Sequence, residues 1–173
     1  MKKFNNRQNK SYNVDGKLIW ESRSVALVGV VLIEQGGTLY VLLSQRGKGS
    51  ADYQGLWNVP CGYLDWDENG YDGVCREIYE ETGLDVLNWG GYCYGVKQPF
   101  YVNTEITENR QNVALSYGIL LKTFESLPQL TTEHSDPNEV EQAKWVRVED
   151  LDKYDFAFCH DKRIKHFLKI IEK

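Results

Sequence analysis

The chain of 173 residues contains no continuous apolar run approaching the ~18 residues of a membrane-spanning helix. Its first residues, MKKFNNRQNK, lack the apolar stretch that follows the charged start of a secretory leader. Neither a membrane span nor export is expected, and a cytoplasmic location follows. Cysteine is scarce: Cys61, Cys75, Cys93 and Cys159 show neither CxxC spacing nor a paired-histidine pattern. That argues against zinc and against a disulfide framework, and leaves buried free thiols as the expected state. The histidines His134, His160 and His166 share no ligand spacing, so each is expected to pack or face solvent. Basic charge is also in short supply, with 20 Lys and Arg against 25 Asp and Glu and a net charge of −5. A general nucleic-acid surface needs a basic footprint, and this balance argues against one.

What the chain does have is enough apolar material, 42% of residues, for one domain with a real core. Residues 1–16 are polar and without period, and read as a mobile lead-in ending in a turn at Asp15-Gly16. A single domain is expected over residues 17–173. Residues 17–33 are rich in β-branched side chains and read as strand, the later half as a buried one. Gly36-Gly37 turns the chain into TLYVLLSQR, residues 38–46, the returning strand of a hairpin. Residues 47–58 mix glycine, small polar residues, Tyr53 and Trp57, which marks a loop able to fold over a site. Arg46 and Lys48 stand at its base, and a guanidinium there suits a phosphate clamp as well as an exposed strand end. Trp57 can stack on a base or pack the loop against the domain.

Further on, residues 85–101 read as strand, bend and loop, and 104–112 as a polar connection in which Arg110 is either a substrate contact or a solvent charge. VALSYGILLKTF is a core strand, 125–138 a loop, and NEVEQAKWVRVEDL a strand running towards a helix start. Ile164, Phe167, Leu168 and Ile171 recur at i, i+3, i+4, i+7 and make the tail from Asp161 an amphipathic helix.

The chemistry concentrates between Gly62 and Leu84. Read as a helix over residues 70–82, the segment puts Tyr71, Val74, Cys75 and Ile78 on one apolar stripe facing a core. At ~100° per residue, Glu77, Glu80 and Glu81 share one flank beside it. Like charges at these spacings repel, so the flank needs a compensating cation unless it is simply a solvated acidic face. Arg76 is one candidate, with Glu80 as its i,i+4 partner. A hard divalent ion bound through carboxylate oxygens is the other.

The order of residue types matches G-x5-E-x7-R-E-U-x-E-E-x-G-U, with U aliphatic, at Gly62, Glu68, Arg76, Glu77, Ile78, Glu80, Glu81, Gly83 and Leu84. That is the Nudix box, and the chain resembles a Nudix hydrolase. The resemblance implies an α/β/α sandwich, an α/β fold with a central mixed β-sheet and the box helix on one side; composition alone gives only α/β or α+β. It further implies metal-dependent hydrolysis of a diphosphate bond in a nucleoside diphosphate linked to another moiety. Mg²⁺, with Mn²⁺ as an alternative, would be held by Glu77, Glu80 and Glu81. A glutamate several residues before Trp145 often joins the metals in the family, and Glu139 fits that place ahead of Glu141. The general base is left among Glu77, Glu80 and Glu139, with Arg76 orienting a carboxylate.

The expected partner is a small-molecule nucleotide, with Arg46, Trp57 and Tyr101 as candidate substrate contacts and a homodimer among the expected assemblies. Pro99 resembles the marker of ADP-ribose diphosphatases and Tyr101 that of dinucleoside polyphosphate hydrolases, so the pair does not choose a substrate. Where family members usually have Pro-Gly-Gly ahead of the box, this chain has Pro60-Cys61-Gly62. Cys61 is therefore a departure. A Nudix-like module that senses a nucleotide without cleaving it is the competing reading, and such modules commonly lose box glutamates, which this chain keeps.

Overall fold

A computed structural model of the chain describes residues 10–21, 25–89, 92–95, 97–107, 110–123 and 125–172. The strand expected over residues 17–33 is present as two, β2 (Lys17–Glu21) and β3 (Val25–Gln35). Strand β2 pairs with β1 (Lys10–Val14) as an antiparallel hairpin, with Tyr12 opposite Ile19. Its turn residues Asp15 (φ 51°) and Gly16 (φ 76°) are both left-handed, as a two-residue hairpin turn matched to strand twist requires. The lead-in expected over residues 1–16 is thus corrected in its second part, which is a paired strand; residues 1–9 lie outside the described residues.

The chain continues through β4 (Thr38–Arg46), β5 (Trp57–Asn58), β6 (Cys61–Tyr63), helix α1 (Gly70–Thr82), β7 (Tyr92–Gly95) and β8 (Tyr101–Asn103). A small hairpin of β9 (Ile106–Thr107) and β10 (Arg110–Gln111) precedes β11 (Val113–Thr123), β12 (Val140–Arg147) and helix α2 (His160–Ile171). The central sheet runs β12-β4-β3-β11-β7, with β5 on β4, β6 on β3 and β8 on β11. Strands β3 and β11 run parallel over their whole length, Val25 beside Val113 and Gln35 beside Thr123, while the neighbours described are antiparallel. The sheet is mixed, as expected.

Alternation of side chains along each strand divides the core in two. On one face Leu27, Val31, Ile33, Leu42, Ile119 and Leu121 meet Val74, Cys75 and Ile78 of α1. On the other, Val28, Val30, Leu32, Val41 and Leu43 meet Ile164 and Phe167 of α2. The periodic stripes of both helices therefore found the faces they were expected to cover, and the layers are α/β/α.

Helix α1 begins where Asn69 Oδ1 accepts the Asp72 N–H at 3.0 Å, and ends at Gly83, whose φ of 71° lets its N–H reach the Tyr79 carbonyl at 2.8 Å. Its two internal glycines cost helix propensity but permit close approach. A Cβ on Gly70 would meet the Tyr117 hydroxyl, and one on Gly73 would come to 2.5 Å of Leu27 and 2.6 Å of Glu68.

The segment 47–58 is not a free cover. Its last two residues, Trp57 and Asn58, are buried as β5. Its first part is tied to the loop before β12 by Gly47 N–H to the Glu139 carbonyl (2.8 Å) and Gly49 N–H to the Asn138 carbonyl (2.7 Å). The helix start expected after β12 is a 3-10 turn over Val148–Lys153. Among the described residues no helix is long and apolar enough to cross a membrane. Cys75 is buried as expected, whereas Cys159 is exposed and Cys61 half-buried, so burial of all the thiols does not hold.

Gly118 of β11 faces Phe167, and an added Cβ would land on that ring. Gly118→Ala should therefore destabilise the protein by about 1–3 kcal/mol through overpacking, read as a lowered urea midpoint with an unchanged slope.

Candidate active site

The flank of α1 predicted to be acidic is organised around a buried cation. Arg76 is 2% exposed. Its Nε and Nη2 donate to the two oxygens of Glu68 at 3.1 and 2.8 Å, a two-pronged contact. Nη2 also donates to the Tyr63 carbonyl at 3.0 Å, and Nη1 donates to Glu77 Oε1 at 2.6 Å and to Glu80 Oε2 at 3.0 Å. A guanidinium has five N–H donors, and these five bonds use them all. Burial by itself would lower the basicity of Arg76, but its hydrogen bonds with Glu68 and the charge of Glu77 raise it overall. Arg76 stays charged throughout the working pH range.

Glu68 reaches Arg76 from the loop between β6 and α1, and its Oε1 also accepts the Asp65 N–H at 2.7 Å. The box thus closes on itself: the loop carboxylate, the helix arginine and two helix carboxylates share one set of bonds. Gly62 of β6 lets this happen, because a Cβ there would occupy the place of the Glu77 carboxylate.

Glu81, one turn on from Glu77, makes a different set of contacts. Its Oε2 accepts from Ser44 Oγ of β4 at 2.6 Å, and its Oε1 accepts the Cys61 N–H of β6 at 3.1 Å. Burial pushes its carboxyl up to about 7, against the pull of the Ser44 hydroxyl, the Cys61 N–H and Arg46, with Glu139 repelling it. Burial pushes Glu77 up to about 8, against Arg76 and with added repulsion from Glu81 and Glu80. Glu80 is raised as well, by burial, with Arg76 opposing. These carboxylates are close enough to repel one another in a site with little water.

Glu139 ends the loop before β12. Its carboxyl is raised by burial and by Asp136, with Arg46 opposing, and it acts on Glu81 in turn. Its backbone is pinned, the carbonyl accepting Gly47 N–H at 2.8 Å and Ser50 Oγ at 3.2 Å, and the N–H donating to the Asp136 carbonyl at 2.8 Å. Only its side chain remains to adjust. Glu141 is exposed and sits where β12 slips register against β4, between Val140 and Gln142.

Arg46 pairs with Val140, next to Glu139, in the sheet, and its charge favours the ionised forms of Glu81 and Glu139. It is held there by Asp52, Nε to the carbonyl at 2.9 Å and Nη2 to Oδ1 at 3.1 Å, with its guanidinium 4.9 Å from the Phe158 ring. The other two expected substrate contacts fare differently. Trp57 is 9% exposed, edge-on to Tyr154 at 5.4 Å, with the Lys144 ammonium 4.2 Å from its ring. Its ring packs against Tyr154 and Lys144. Tyr101 belongs to the α2 face, under the Arg163 guanidinium at 3.9 Å and beside His166 at 5.4 Å, away from the box helix. The Arg110 side chain lies outside the described residues.

Sequence reasoning missed Ser44 and Asn58. Ser44, which ends the apolar run Leu39–Leu43 of β4, was the available signal for the first. His160 packs, as one of its two expected states. His160 is 4% exposed, and its Nδ1 has no hydrogen-bond partner among the described residues. Burial, then Arg163 and Arg46, lower its imidazole to about 3, so it is neutral.

Among the described residues no three of His, Cys, Asp and Glu gather into a metal-binding group. Glu77 and Glu80 are turned to Arg76, and Glu81 to Ser44 and Cys61. The donor set still fits a hard divalent cation, being all carboxylate. Their shared burial and repulsion are the imbalance such an ion would relieve.

The NUDIX domain family model matches residues 23–167. An RNA pyrophosphohydrolase of Bartonella bacilliformis is 27% identical over 135 residues, covering 72% of this chain and 78% of that protein. The m7GpppN-mRNA hydrolase NUDT17 of Homo sapiens is 30% identical over 144 residues, which is 77% of this chain and 41% of that longer protein. Among solved structures, the NUDIX domain of Shewanella oneidensis NrtR complexed with ADP ribose aligns with a TM-score of 0.66 at 21% identity, covering 87% of this chain and 90% of that one. A C. elegans Ap4A hydrolase aligns at 0.61 and 18% identity, covering 84% and 98%.

Two outcomes follow from the charge arrangement. Arg76→Ala leaves three carboxylates without their buried partner and should cost roughly 3–5 kcal/mol in urea unfolding with chelator present. Glu77 and Glu81 bind protons more tightly folded than unfolded, so their contribution is complete below the ordinary value of 4.5 and is lost as pH rises through about 7 and about 8. Stability of the chelated protein should accordingly fall across that window, and Glu77→Gln should flatten the fall.

Proposed function

This chain belongs to the Nudix hydrolase family, and on that premise we propose that it hydrolyses a diphosphate linkage in a small nucleoside diphosphate derivative with the help of Mg²⁺. The observation that carries the proposal is the grouping of Glu77, Glu80 and Glu81 on one flank of α1, with Arg76 fixing two of them. In this reading Glu77, Glu80, Glu81 and Glu139 hold the cation. When bound, Mg²⁺ (or Mn²⁺) offsets the charge of the diphosphate and favours deprotonation of an attacking water.

The chain's own residues then have separable tasks. Arg76 keeps Glu77 and Glu80 in fixed rotamers and does not titrate. Arg46 stands beside Glu81 and Glu139, where a guanidinium suits a phosphate oxygen; binding there would exchange its contact with Asp52. The base takes a proton from water as the water oxygen bonds to phosphorus and the phosphoanhydride P–O bond breaks, its electron pair leaving with the departing phosphate. Of Glu77, Glu80 and Glu139, the first two each give an oxygen to Arg76, which favours Glu139, whose raised affinity for a proton suits a base.

The substrate is best sought among ADP-ribose, nucleotide sugars, dinucleoside polyphosphates and nucleoside triphosphates, with RNA added because two relatives are named as an RNA pyrophosphohydrolase and an m7GpppN-mRNA hydrolase. The net charge of −5 makes a long nucleic acid the less favoured choice.

A product screen over that panel with purified protein and Mg²⁺ should find one or a few members cleaved. Glu139→Gln should lower kcat on the best of them by roughly 100-fold with a much smaller change in KM. Tight binding of one nucleotide with no cleavage of any would replace the enzyme with a nucleotide-sensing module.

A further inference from the structure

We propose that Ser44, Asn58 and Cys61 are positioning residues that hold the Glu81 carboxylate in one place through a closed ring of four contacts, three of them hydrogen bonds. The ring draws one residue from each of four elements. Glu81 of α1 accepts Ser44 Oγ of β4 at 2.6 Å and the Cys61 N–H of β6 at 3.1 Å. The same Ser44 hydroxyl is 3.3 Å from Asn58 Oδ1 of β5, and Asn58 Nδ2 donates to Cys61 Sγ at 3.4 Å and to the Val59 carbonyl at 3.0 Å. Starting from Glu81, the path runs through Ser44, Asn58 and Cys61 and returns to Glu81.

Ser44 and Asn58 are 1% and 2% exposed. Polar side chains buried to that degree are kept where partners satisfy them, and here the partners lead to one carboxylate. Ser44 has a single hydroxyl proton, which goes to the shorter contact with Glu81, so its oxygen and Asn58 Oδ1 meet as two acceptors and that contact is packing held by the other three. That makes the thiol consequential. Cys61 Sγ is the atom that fixes Asn58 from its other side, and it is there because this chain has Cys61 where its family usually has glycine. A glycine would retain the N–H to Glu81 and lose the grip on Asn58. The thiol sulfur serves here as the acceptor for Asn58 Nδ2. Hydrogen bonding of this kind orients ligating carboxylates and tunes what they bind.

The inference rests on the role proposed above for Glu81, and the test separates the two. Binding of Mn²⁺ alone to the full chain, followed by the electron paramagnetic resonance signal of free Mn²⁺, gives a readout independent of turnover. Ser44→Ala should weaken Mn²⁺ binding by on the order of 10-fold, and Cys61→Ala by less. Cys61→Ser, which keeps an acceptor for Asn58 Nδ2, should restore the wild-type value. If Ser44→Ala fails to fold by circular dichroism, the Cys61→Ala and Cys61→Ser pair decides alone. Should Cys61→Ala and Cys61→Ser both bind as wild type while Glu81→Gln binds weakly, the ring is overturned and the role of Glu81 stands. Wild-type binding by Glu81→Gln would remove that role and the ring's purpose with it.

Discussion

A buried guanidinium with all five of its donors used is the constraint on which this molecule depends. Arg76 is placed in the interior with two box glutamates and a third from the preceding loop, and none of the four would be tolerable there without the others. Coulomb attraction alone would not make the arrangement specific. The two-pronged contact with Glu68 and the single contacts with Glu77, Glu80 and the Tyr63 carbonyl give it a geometry. Because Glu68 and Tyr63 come from the segment leading into α1, the arginine also sets how β6 enters the helix. Strand, loop and helix are thereby one unit.

The sheet determines what that unit faces. Side chains alternate, so β4 turns Leu42 and Ser44 towards α1 while Leu43 goes to α2. The carboxylates, Ser44 and Arg46 consequently assemble at one end of the α1 layer. Tyr101, Phe100 and His166 assemble in the α2 layer, with Phe100 stacked on Phe167 at 5.1 Å. Glycine permits the closeness on both sides, with Gly62 under Glu77 and Gly118 under Phe167. The backbone bonds between Gly47, Gly49 and the Asn138–Glu139 peptide add a loop from elsewhere in the chain to the same end.

Much of the site was legible in the residues because its central part is local. The apolar stripe of α1, the shared flank of Glu77, Glu80 and Glu81, and the Arg76–Glu80 contact all follow from helical spacing, and each is present. Asn69 and Gly83 bound the helix for reasons equally local. The order of types in the box identified the family. Less was legible where a residue's role depends on its partner. Trp57 was open between stacking and packing until β5 joined β4 and put its ring beneath Tyr154 and Lys144. Tyr101 was named from a resemblance to a marker residue, and which side chains it meets, Arg163 and His166, was settled by the face its strand presents. Glu139 was legible only by its place before Trp145, and that its backbone is held by Gly47 and Ser50 was not.

By itself, then, the sequence determined the elements and the charge pattern of the box helix, since hydrophobic period, capping residues and i,i+4 spacing act over a few residues. The mixed sheet and its two faces were implied by resemblance and decided by pairing, above all by β3 lying parallel to β11 along eleven positions. The pairings of β4 with β5 and of β3 with β6 bring Ser44, Asn58 and Cys61 around Glu81, and that of β8 with β11 sets Tyr101 beside Ser116. Contacts between residues far apart in the chain arise when apolar faces are buried together, and a local period carries no record of which faces will meet.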